Sequence, residues 1–322
     1  MKMKYTTICP VLWNGFAIDC RGDVFSCCHM KPAKLGDIYH TPLSELTNVQ
    51  GIIEQRKASL EGKLTCYSDC NLIRYEKQPL EATTPRAEYN RMTYLHLNFG
   101  ERCNIACIMC KVHMREHINK AILNHEALVK NIDLGPFKEI VIQGGEPLFI
   151  PECREYLNYL GSIGKKYVLL TNGVLINNET ARQLAKDAIR VCISLNAATK
   201  ETHELVNRGS DFEKVKKNIK RLRKVKATTD SELVLHGRMT LTTTALHEIP
   251  LFIKTFGELG FDRINFGYDR ATVPAYLTQN AAFTDKLRTE IREAIEGIDH
   301  SRIDFLRLEQ LELVSATDIG GA

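Results

Sequence analysis

From Met92 onward, short apolar runs alternate with stretches whose apolar residues recur every three or four positions. The runs at 94–99, 139–142, 167–170, 189–195, 233–239 and 263–266 predict strands, and the periodic stretches at 113–131, 152–162, 178–187, 211–226, 247–259 and 281–295 predict helices. Strands alternating with helices point to parallel βα units, closed as a partial barrel or open as a doubly wound sheet. Ahead of Met92 the texture differs. Residues 16–18 and 24–25 predict a hairpin around the turn Arg21-Gly22-Asp23. Leu43, Leu46, Val49 and Ile53 fall near a 3.6 period and predict a helix over 42–55. Pro79 and Pro85 among polar residues mark 78–91 as a linker or wrapping segment. Phe305, Leu308 and Leu311 predict a last packing helix in the tail.

The chain has 322 residues, enough for roughly two domains of ~150 residues. Its 44% hydrophobic and 25% charged residues exclude wholesale disorder. No apolar run reaches the ~18 residues of a membrane span, and residues 1–7 do not read as a secretory signal, so a cytoplasmic protein without membrane contact is expected. A formal charge of +4 is too small a bias to call for nucleic acid.

Cysteine is the unusual component. Of eleven, nine lie in the first 110 residues, which concentrates them where metal or redox chemistry, rather than disulfides, is expected of a reduced compartment. Cys153 and Cys192 stand alone in apolar surroundings and read as small core residues.

Cys103, Cys107 and Cys110 follow the first strand with the spacing C-x3-C-x2-C. Iron–sulfur cubanes are held by thiolates and normally take four, so three in one loop leave an iron open to a ligand. Zinc is the alternative, and wants a fourth Cys or His; His113 is nearby. Polar motifs then close three later strands in turn: Gln143-Gly144-Gly145-Glu146-Pro147, Thr171-Asn172-Gly173 and Ser194-Leu195-Asn196. Ligand sites of parallel α/β folds gather at these carboxyl ends. The glycines allow close approach of backbone to a ligand, and Glu146 offers a carboxylate to a cationic group.

In order and kind, these motifs over residues 92–270 resemble the radical S-adenosylmethionine superfamily. The resemblance implies an α/β fold with a partial (β/α)6 barrel of parallel strands, preceded here by a small Cys-rich module with a β-hairpin and helix. It implies that Cys103, Cys107 and Cys110 hold a [4Fe–4S] cluster and that S-adenosylmethionine binds its fourth iron. Gly144, Gly145, Glu146 and Pro147 match the segment receiving the methionyl amine, and Ser194 the ribose contact. Thr171, Asn172 and Asn196 complete the strand-end set. The stretch from His203 to Gly209 looks like the one in peptide-modifying members, where Arg208 would meet the cofactor carboxylate. Two positions depart from the family pattern. Met109 stands where an aromatic often packs near adenine, and Asn196 stands where many relatives carry Asp.

Residues 8–77 hold Cys9, Cys20, Cys27, Cys28, Cys66 and Cys70 in an ordered series around the hairpin. Zinc is again an alternative. The region resembles the twitch/SPASM auxiliary-cluster module, which in most relatives follows the barrel rather than preceding it. The resemblance implies one auxiliary [4Fe–4S] cluster, with Cys9, Cys27, Cys66 and Cys70 as ligands and Cys28 as the alternative to Cys27. Cys20 is the least favoured ligand. The expected organisation is an auxiliary-cluster module at 1–77, a linker at 78–92, the barrel at 93–300 and a tail at 301–322.

The implied activity is reductive cleavage of S-adenosylmethionine to a 5′-deoxyadenosyl radical that abstracts hydrogen from substrate, the auxiliary cluster relaying electrons. A flavodoxin or ferredoxin would supply the reductant. The expected substrate is a ribosomally made peptide undergoing crosslinking, epimerisation or oxidation; a small alcohol or sugar undergoing oxidation is the alternative. An iron–sulfur redox protein or zinc protein is the non-enzyme reading. Outside these motifs, His236, Arg238 and Thr240 alternate along one strand and share a face, and Tyr268, Asp269 and Arg270 follow the next. The eight basic residues of 214–226 read as the solvated face of a barrel helix, and Trp13 as packed in the small module.

Overall fold

A computed structural model describes residues 5–7, 9–27, 34–66, 84–111 and 120–320; of residues 5–7, 10 and 66 it describes the backbone alone. Its strands are β1 (Tyr5–Thr7), β2 (Gly15–Ile18), β3 (Asp23–Phe25), β4 (Gly36–Asp37), β5 (Leu64–Cys66), β6 (Tyr94–Asn98), β7 (Ala106–Cys107), β8 (Glu139–Gln143), β9 (Tyr167–Thr171), β10 (Ala188–Ser194), β11 (Asn207–Arg208), β12 (Val234–Leu241), β13 (Arg263–Tyr268) and β14 (Ile303–Asp304). Its α-helices are α1 (Gln50–Leu60), α2 (His125–Asn131), α3 (Pro151–Ser162), α4 (Asn178–Asp187), α5 (Lys200–Val206), α6 (Phe212–Thr228), α7 (Ile249–Leu259), α8 (Val273–Gln279), α9 (Ala281–Ile295) and α10 (Leu306–Gln310). All six predicted barrel strands are present. No helix among the described residues is long and apolar enough to cross a membrane. The chain resolves into two compact units, residues 1–102 with 119–167 and residues 103–118 with 168–322.

In the first unit β8, β6 and β2 are parallel neighbours, with Leu95 opposite Ile140 and Phe16 opposite Leu95. Their buried Phe16, Ile18, Leu95, Leu97, Ile140 and Ile142 form the apolar wall that fixes this register. The expected hairpin is β2 and β3, antiparallel, with β4 on its far edge. Asp19 makes the turn: its Oδ1 accepts the amides of Arg21 and Asp23 at 2.9 and 3.1 Å. The pairing of β2 alongside β6 has no signal in the local pattern.

The helix expected over 42–55 is interrupted. Residues Leu43–Asn48 form a 3-10 turn, Val49 is extended, and α1 then runs to Leu60. Asn48 causes the break, because its side chain is committed to the Ala87 backbone at 2.9 and 3.0 Å and to Arg56 at 3.1 Å. Arg56 is fully buried and donates to the carbonyls of Leu12 and Thr47, both at 2.9 Å. Burial pulls its pKa down to about 10. Trp13 packs here as expected, its indole N–H on the Thr84 carbonyl at 3.0 Å and the Arg56 guanidinium 5.8 Å from its ring. Of the helix expected over 113–131 the described residues show α2, from His125, where Asn124 accepts the amide of Ala127 as an N-cap; residues 112–119 lie outside the described set. Cys153 is fully buried on α3, as expected.

In the second unit β10, β12, β13 and β14 are parallel, and β9 is the neighbour of β10. The strands lie side by side in sequence order, as in a barrel wall, without the order reversal of a doubly wound sheet. Cys192 is buried in β10, again as expected. Helix α6 buries Phe212, Val215, Ile219 and Leu222, which leaves most of its basic residues on the solvent side. Along β12 burial alternates strictly, so His236, Arg238 and Thr240 share a face. The tail forms β14 and the short α10, with Leu308 buried. Neither β14 nor the helices α5 and α8 were anticipated; each is too short to show a period.

Candidate functional site

The cysteine loop belongs to the second unit. Cys103, Cys107 and Cys110 are all partly exposed on it. Two short strands hold its centre: β7 pairs antiparallel with β11, placing Asn207 opposite Cys107 and Arg208 opposite Ala106. The amide of Ile108 donates to Val206 at 2.9 Å, and that of Cys110 to Cys107 at 3.0 Å. Arg208, expected at the cofactor, is therefore exposed beside the cysteine loop.

Asn207 is 1% exposed and ties the loop to the end of β10. Its Oδ1 lies 3.2 Å from Cys107 Sγ and accepts from Asn196 Nδ2 at 2.9 Å, while its Nδ2 donates to the Leu195 carbonyl at 3.0 Å. His203 also reaches Leu195 O, at 2.7 Å, and Ser210 Oγ, at 2.9 Å; burial lowers its pKa. Asn196 sits at φ 62, a left-handed conformation that Asn tolerates, and its Oδ1 accepts the Thr240 amide at 2.8 Å. An aspartate here would have no hydrogen to give Asn207, which is a physical reason for the departure at this position.

At the end of β9, Thr171 Oγ1 accepts the Gly173 amide at 3.1 Å. Asn172 Oδ1 accepts Val174 N–H at 3.0 Å, and its Nδ2 donates to Asn104 at 2.9 Å and approaches Cys103 Sγ at 3.8 Å. Ser194, Thr171, Asn172, Asn196 and Arg208 are thus gathered with the three cysteines in one unit. The loop after Asn196 is fixed by Glu248, a buried carboxylate that accepts the amides of Ala198 and Thr199 at 2.6 and 3.1 Å and the Thr199 hydroxyl. Burial pushes its pKa up, but hydrogen bonds from Thr199, Thr202 and the two amides outweigh that and lower it overall. Sequence reasoning missed Asn207, Asn104 and Glu248. The first two lie inside motifs already singled out, whereas Glu248 has no local signal.

The Gly-Gly-Glu-Pro segment lies in the first unit. Gly145 donates to the Gly100 carbonyl at 2.7 Å and Glu146 to the Arg102 carbonyl at 2.9 Å. A Cβ on Gly145 would stand 2.1 Å from the Arg102 oxygen, so what glycine admits here is the chain's own backbone just before the first cysteine. Glu146 is fully buried, and its Oε1 accepts the Leu148 amide at 3.1 Å as the cap of the turn Pro147–Phe149. The segment's accessible portion is therefore Gln143 to Gly145, with the carboxylate turned inward and Pro147 buried behind it.

The donor set fits a cubane. Among the described residues no three His, Cys, Asp or Glu side chains converge as a single ion requires. A cubane takes its thiolates at separate corners, and three of them leave one corner open. Burial first, then the neighbouring Cys103 and Cys110, push the Cys107 thiol up to about 12; a coordinating cation reverses that balance. Met109 borders a cavity of about 260 Å³ in this unit, together with Thr240.

Of the auxiliary ligands expected, Cys9 and Cys27 are partly exposed in the first unit. The Cys9 amide donates to Ser59 Oγ at 2.6 Å. Cys66 is described in its backbone only, and Cys70 and Cys28 lie outside the described residues. Cys20, the least favoured ligand in the sequence reading, is 5% exposed, and burial followed by the charges of Asp19 and Glu101 raises its pKa.

Comparison with known proteins gives two family matches: the Radical SAM superfamily over residues 97–248, and the SPASM iron–sulfur cluster-binding domain over residues 9–71. The chain is similar to a GTP 3′,8-cyclase of Clostridium botulinum strain Okra, 28% identical over 140 residues, 41% of this chain and 43% of that protein. It is also similar to a GTP 3′,8-cyclase of Peptoclostridium acidaminophilum, 33% identical over 149 residues, 43% of this chain and 45% of that protein. The chain thus matches less than half the length of these relatives. Among solved structures, Streptococcus suis SuiB bound to precursor peptide SuiA matches with TM-score 0.47 and 16% identity, over 70% of this chain and 52% of that one. The chain carries a radical SAM domain, of a superfamily of enzymes that use S-adenosylmethionine and a [4Fe–4S] cluster, with a SPASM iron–sulfur domain on its N-terminal side.

Proposed function

We propose that this protein is a radical S-adenosylmethionine enzyme working in the cytoplasm, with an auxiliary-cluster module at 1–77, a linker at 78–92, a barrel at 93–300 and a tail at 301–322. The observation that carries this reading is the β7–β11 pairing, which sets Arg208 and Asn207 against the loop of Cys103, Cys107 and Cys110. Those three thiolates would hold the first cluster, and Cys9, Cys27, Cys66 and Cys70 an auxiliary [4Fe–4S] cluster. When bound, the first cluster and S-adenosylmethionine supply a one-electron cleavage yielding a 5′-deoxyadenosyl radical for hydrogen abstraction. The chain's residues bind and orient. The Arg208 guanidinium is suited to a carboxylate. As the resemblance implies, Gly144 and Gly145 would receive the methionyl amine, and in the second unit Ser194 and Asn196 would meet the ribose and Met109 an apolar ring. Within the second unit, Asn207, Asn172 and Glu248 tie the cysteine loop to the ends of β9 and β10 and fix the loop after Asn196.

The electron donor would be a flavodoxin or ferredoxin, and the auxiliary cluster would relay an electron from the substrate radical. The sequence around Arg208 favours a ribosomally made peptide as substrate. A small molecule, such as an alcohol or sugar, is the second reading; the cationic cavity beside Met109 favours it, as does similarity to relatives named for a reaction of GTP. Reconstituted, reduced protein is expected to release 5′-deoxyadenosine from S-adenosylmethionine, slowly even without substrate. A fully reconstituted sample that releases none would sink the assignment.

A further inference from the structure

Helix α6 carries eight basic residues and one acid, Glu213. Half of the eight are committed: Lys216 to Glu213 at 3.1 Å, Lys226 to Asp262 at 2.7 Å, Arg221 to the Ile176 carbonyl at 2.9 Å and Arg223 to the Gly257 carbonyl at 3.0 Å. Lys214, Lys217, Lys220 and Lys224 are exposed and make no ion pair among the described residues. The last three form one stripe, opposite the buried Val215, Ile219 and Leu222. Their spacing sets like charges three and four residues apart, and Lys214, Lys216 and Lys217 lie near the helix start, where the dipole disfavours cations. The acids at this end are engaged: Asp211 Oδ1 accepts the Lys214 amide at 3.0 Å and Glu204 Oε1 the Phe212 amide at 3.3 Å. Lys200 and Glu201 open α5 with one charge of each sign. The helices flanking α6 expose both signs, Glu179 with Arg182 and Lys186 on α4, and Lys254 with Glu258 on α7, so they do not cancel the stripe. A face kept only for solubility does well with mixed signs.

The start of α6 is fastened to the cysteine loop. Arg208, four residues before Phe212, pairs with Ala106 of that loop, and the Val206 carbonyl accepts the Ile108 amide at 2.9 Å. Beside them Leu205 is 55% exposed. An apolar side chain with cations around it has the composition of a small protein-docking patch, apolar at the centre and charged at the rim. A membrane does not fit, because the apolar face of α6 is already buried. A nucleic acid fits poorly, because α6 exposes no aromatic ring for stacking; its Phe212 is buried.

We infer that this face, from Leu205 and Arg208 along Lys214, Lys217, Lys220 and Lys224, docks the acidic face of a one-electron donor protein beside the cysteine loop. The inference rests on the donor reading of the proposed function and gives that donor its surface.

The test is stopped-flow reduction of the reconstituted full chain by a fully reduced bacterial flavodoxin. Each transfer takes one electron from the flavin to the chain and leaves a flavin semiquinone, whose absorbance times the reaction. The native rate is expected to fall steeply as salt is raised. The double variant Lys217→Glu/Lys220→Glu is expected to be reduced roughly tenfold more slowly at low salt, as loss of electrostatic steering does. Leu205→Ser should raise the flavodoxin concentration needed for half the maximal rate while keeping the salt dependence, which tests the patch without touching a charge. Lys254→Glu/Lys286→Glu, the same change of charge on the exposed faces of α7 and α9, should leave the rate native. Dithionite, which needs no docking surface, should reduce every variant equally well. The inference is overturned if the Lys217/Lys220 variant is reduced as fast as the native chain, or if the α7/α9 control slows as much. It is also overturned if an RNA oligonucleotide at the flavodoxin's concentration displaces it, because the stripe would then serve nucleic acid. If dithionite-reduced native protein releases no 5′-deoxyadenosine, the radical assignment fails, while the flavodoxin rates still decide the docking surface.

Discussion

Asn207 places its Oδ1 3.2 Å from the sulfur of Cys107, a residue one hundred positions earlier in the chain. The same side chain bonds Asn196 and the Leu195 carbonyl. One buried amide therefore couples the middle cysteine to the strand end expected to meet the cofactor. Replacing it takes the acceptor from Asn196 Nδ2 and leaves the Leu195 carbonyl with His203 alone, at about 1–3 kcal/mol for a buried unsatisfied group. Asn207→Ala should lower the denaturant midpoint and, at temperatures where it is folded, lose iron faster on desalting than the native chain. Native-like iron retention would show that β7 and β11 hold the loop without the amide.

Gly144 and Gly145 make a contrasting pair. A methyl on Gly145 would stand 2.1 Å from the Arg102 oxygen, a rigid backbone atom, whereas one on Gly144 would stand 3.1 Å from the Gly100 oxygen. Gly145→Ala should cost at least about 2 kcal/mol in a urea melt, as overpacking against backbone does, and Gly144→Ala clearly less. Equal costs would refute the close-approach argument.

The strands and helices were legible because their apolar residues carry a period; 178–187 and 281–295 coincide with α4 and α9 to the residue. The cysteine triplet and the three strand-end motifs were legible from their chemistry. What escaped were single polar residues whose work depends on a distant partner. Arg56 looks like one more helix charge until Leu12 and Thr47 turn their carbonyls to it. Glu248 looks like surface until Ala198 and Thr199 bond it. The break at Val49 likewise belongs to Asn48 and Ala87, which lie 39 residues apart. Period and propensity report local geometry, and none of these partners is local.

His236 gives a pH signature. Burial, and then the Arg190 cation, lower its pKa from 6.5 to about 4. The native state thus keeps the ring neutral, while the unfolded chain takes up a proton near 6.5. Between those values the unfolded state binds more protons, so stability is full above pH 6.5 and falls as pH drops toward 4. The loss is about 3 kcal/mol at most. His236→Gln should flatten this part of the urea-midpoint profile relative to the native chain, both measured metal-free under reducing conditions. Parallel profiles would mean that the ring titrates normally in the folded protein.

The number of clusters separates the two halves of the functional reading. Two cubanes would give ~8 iron per chain, and four would remain after removal of one, since each cubane holds four. Changing Cys103, Cys107 and Cys110 together to Ala should therefore take anaerobic iron from ~8 to ~4, with sulfide in parallel. Changing Cys9 and Cys27 should give a similar fall from the other side, while leaving the spectrum of the first cluster in place. If the native chain instead holds ~4 iron and the triple variant almost none, the N-terminal cysteines bind zinc or nothing. The electron-relay role then falls, while the site built around Asn207 and Arg208 is untouched.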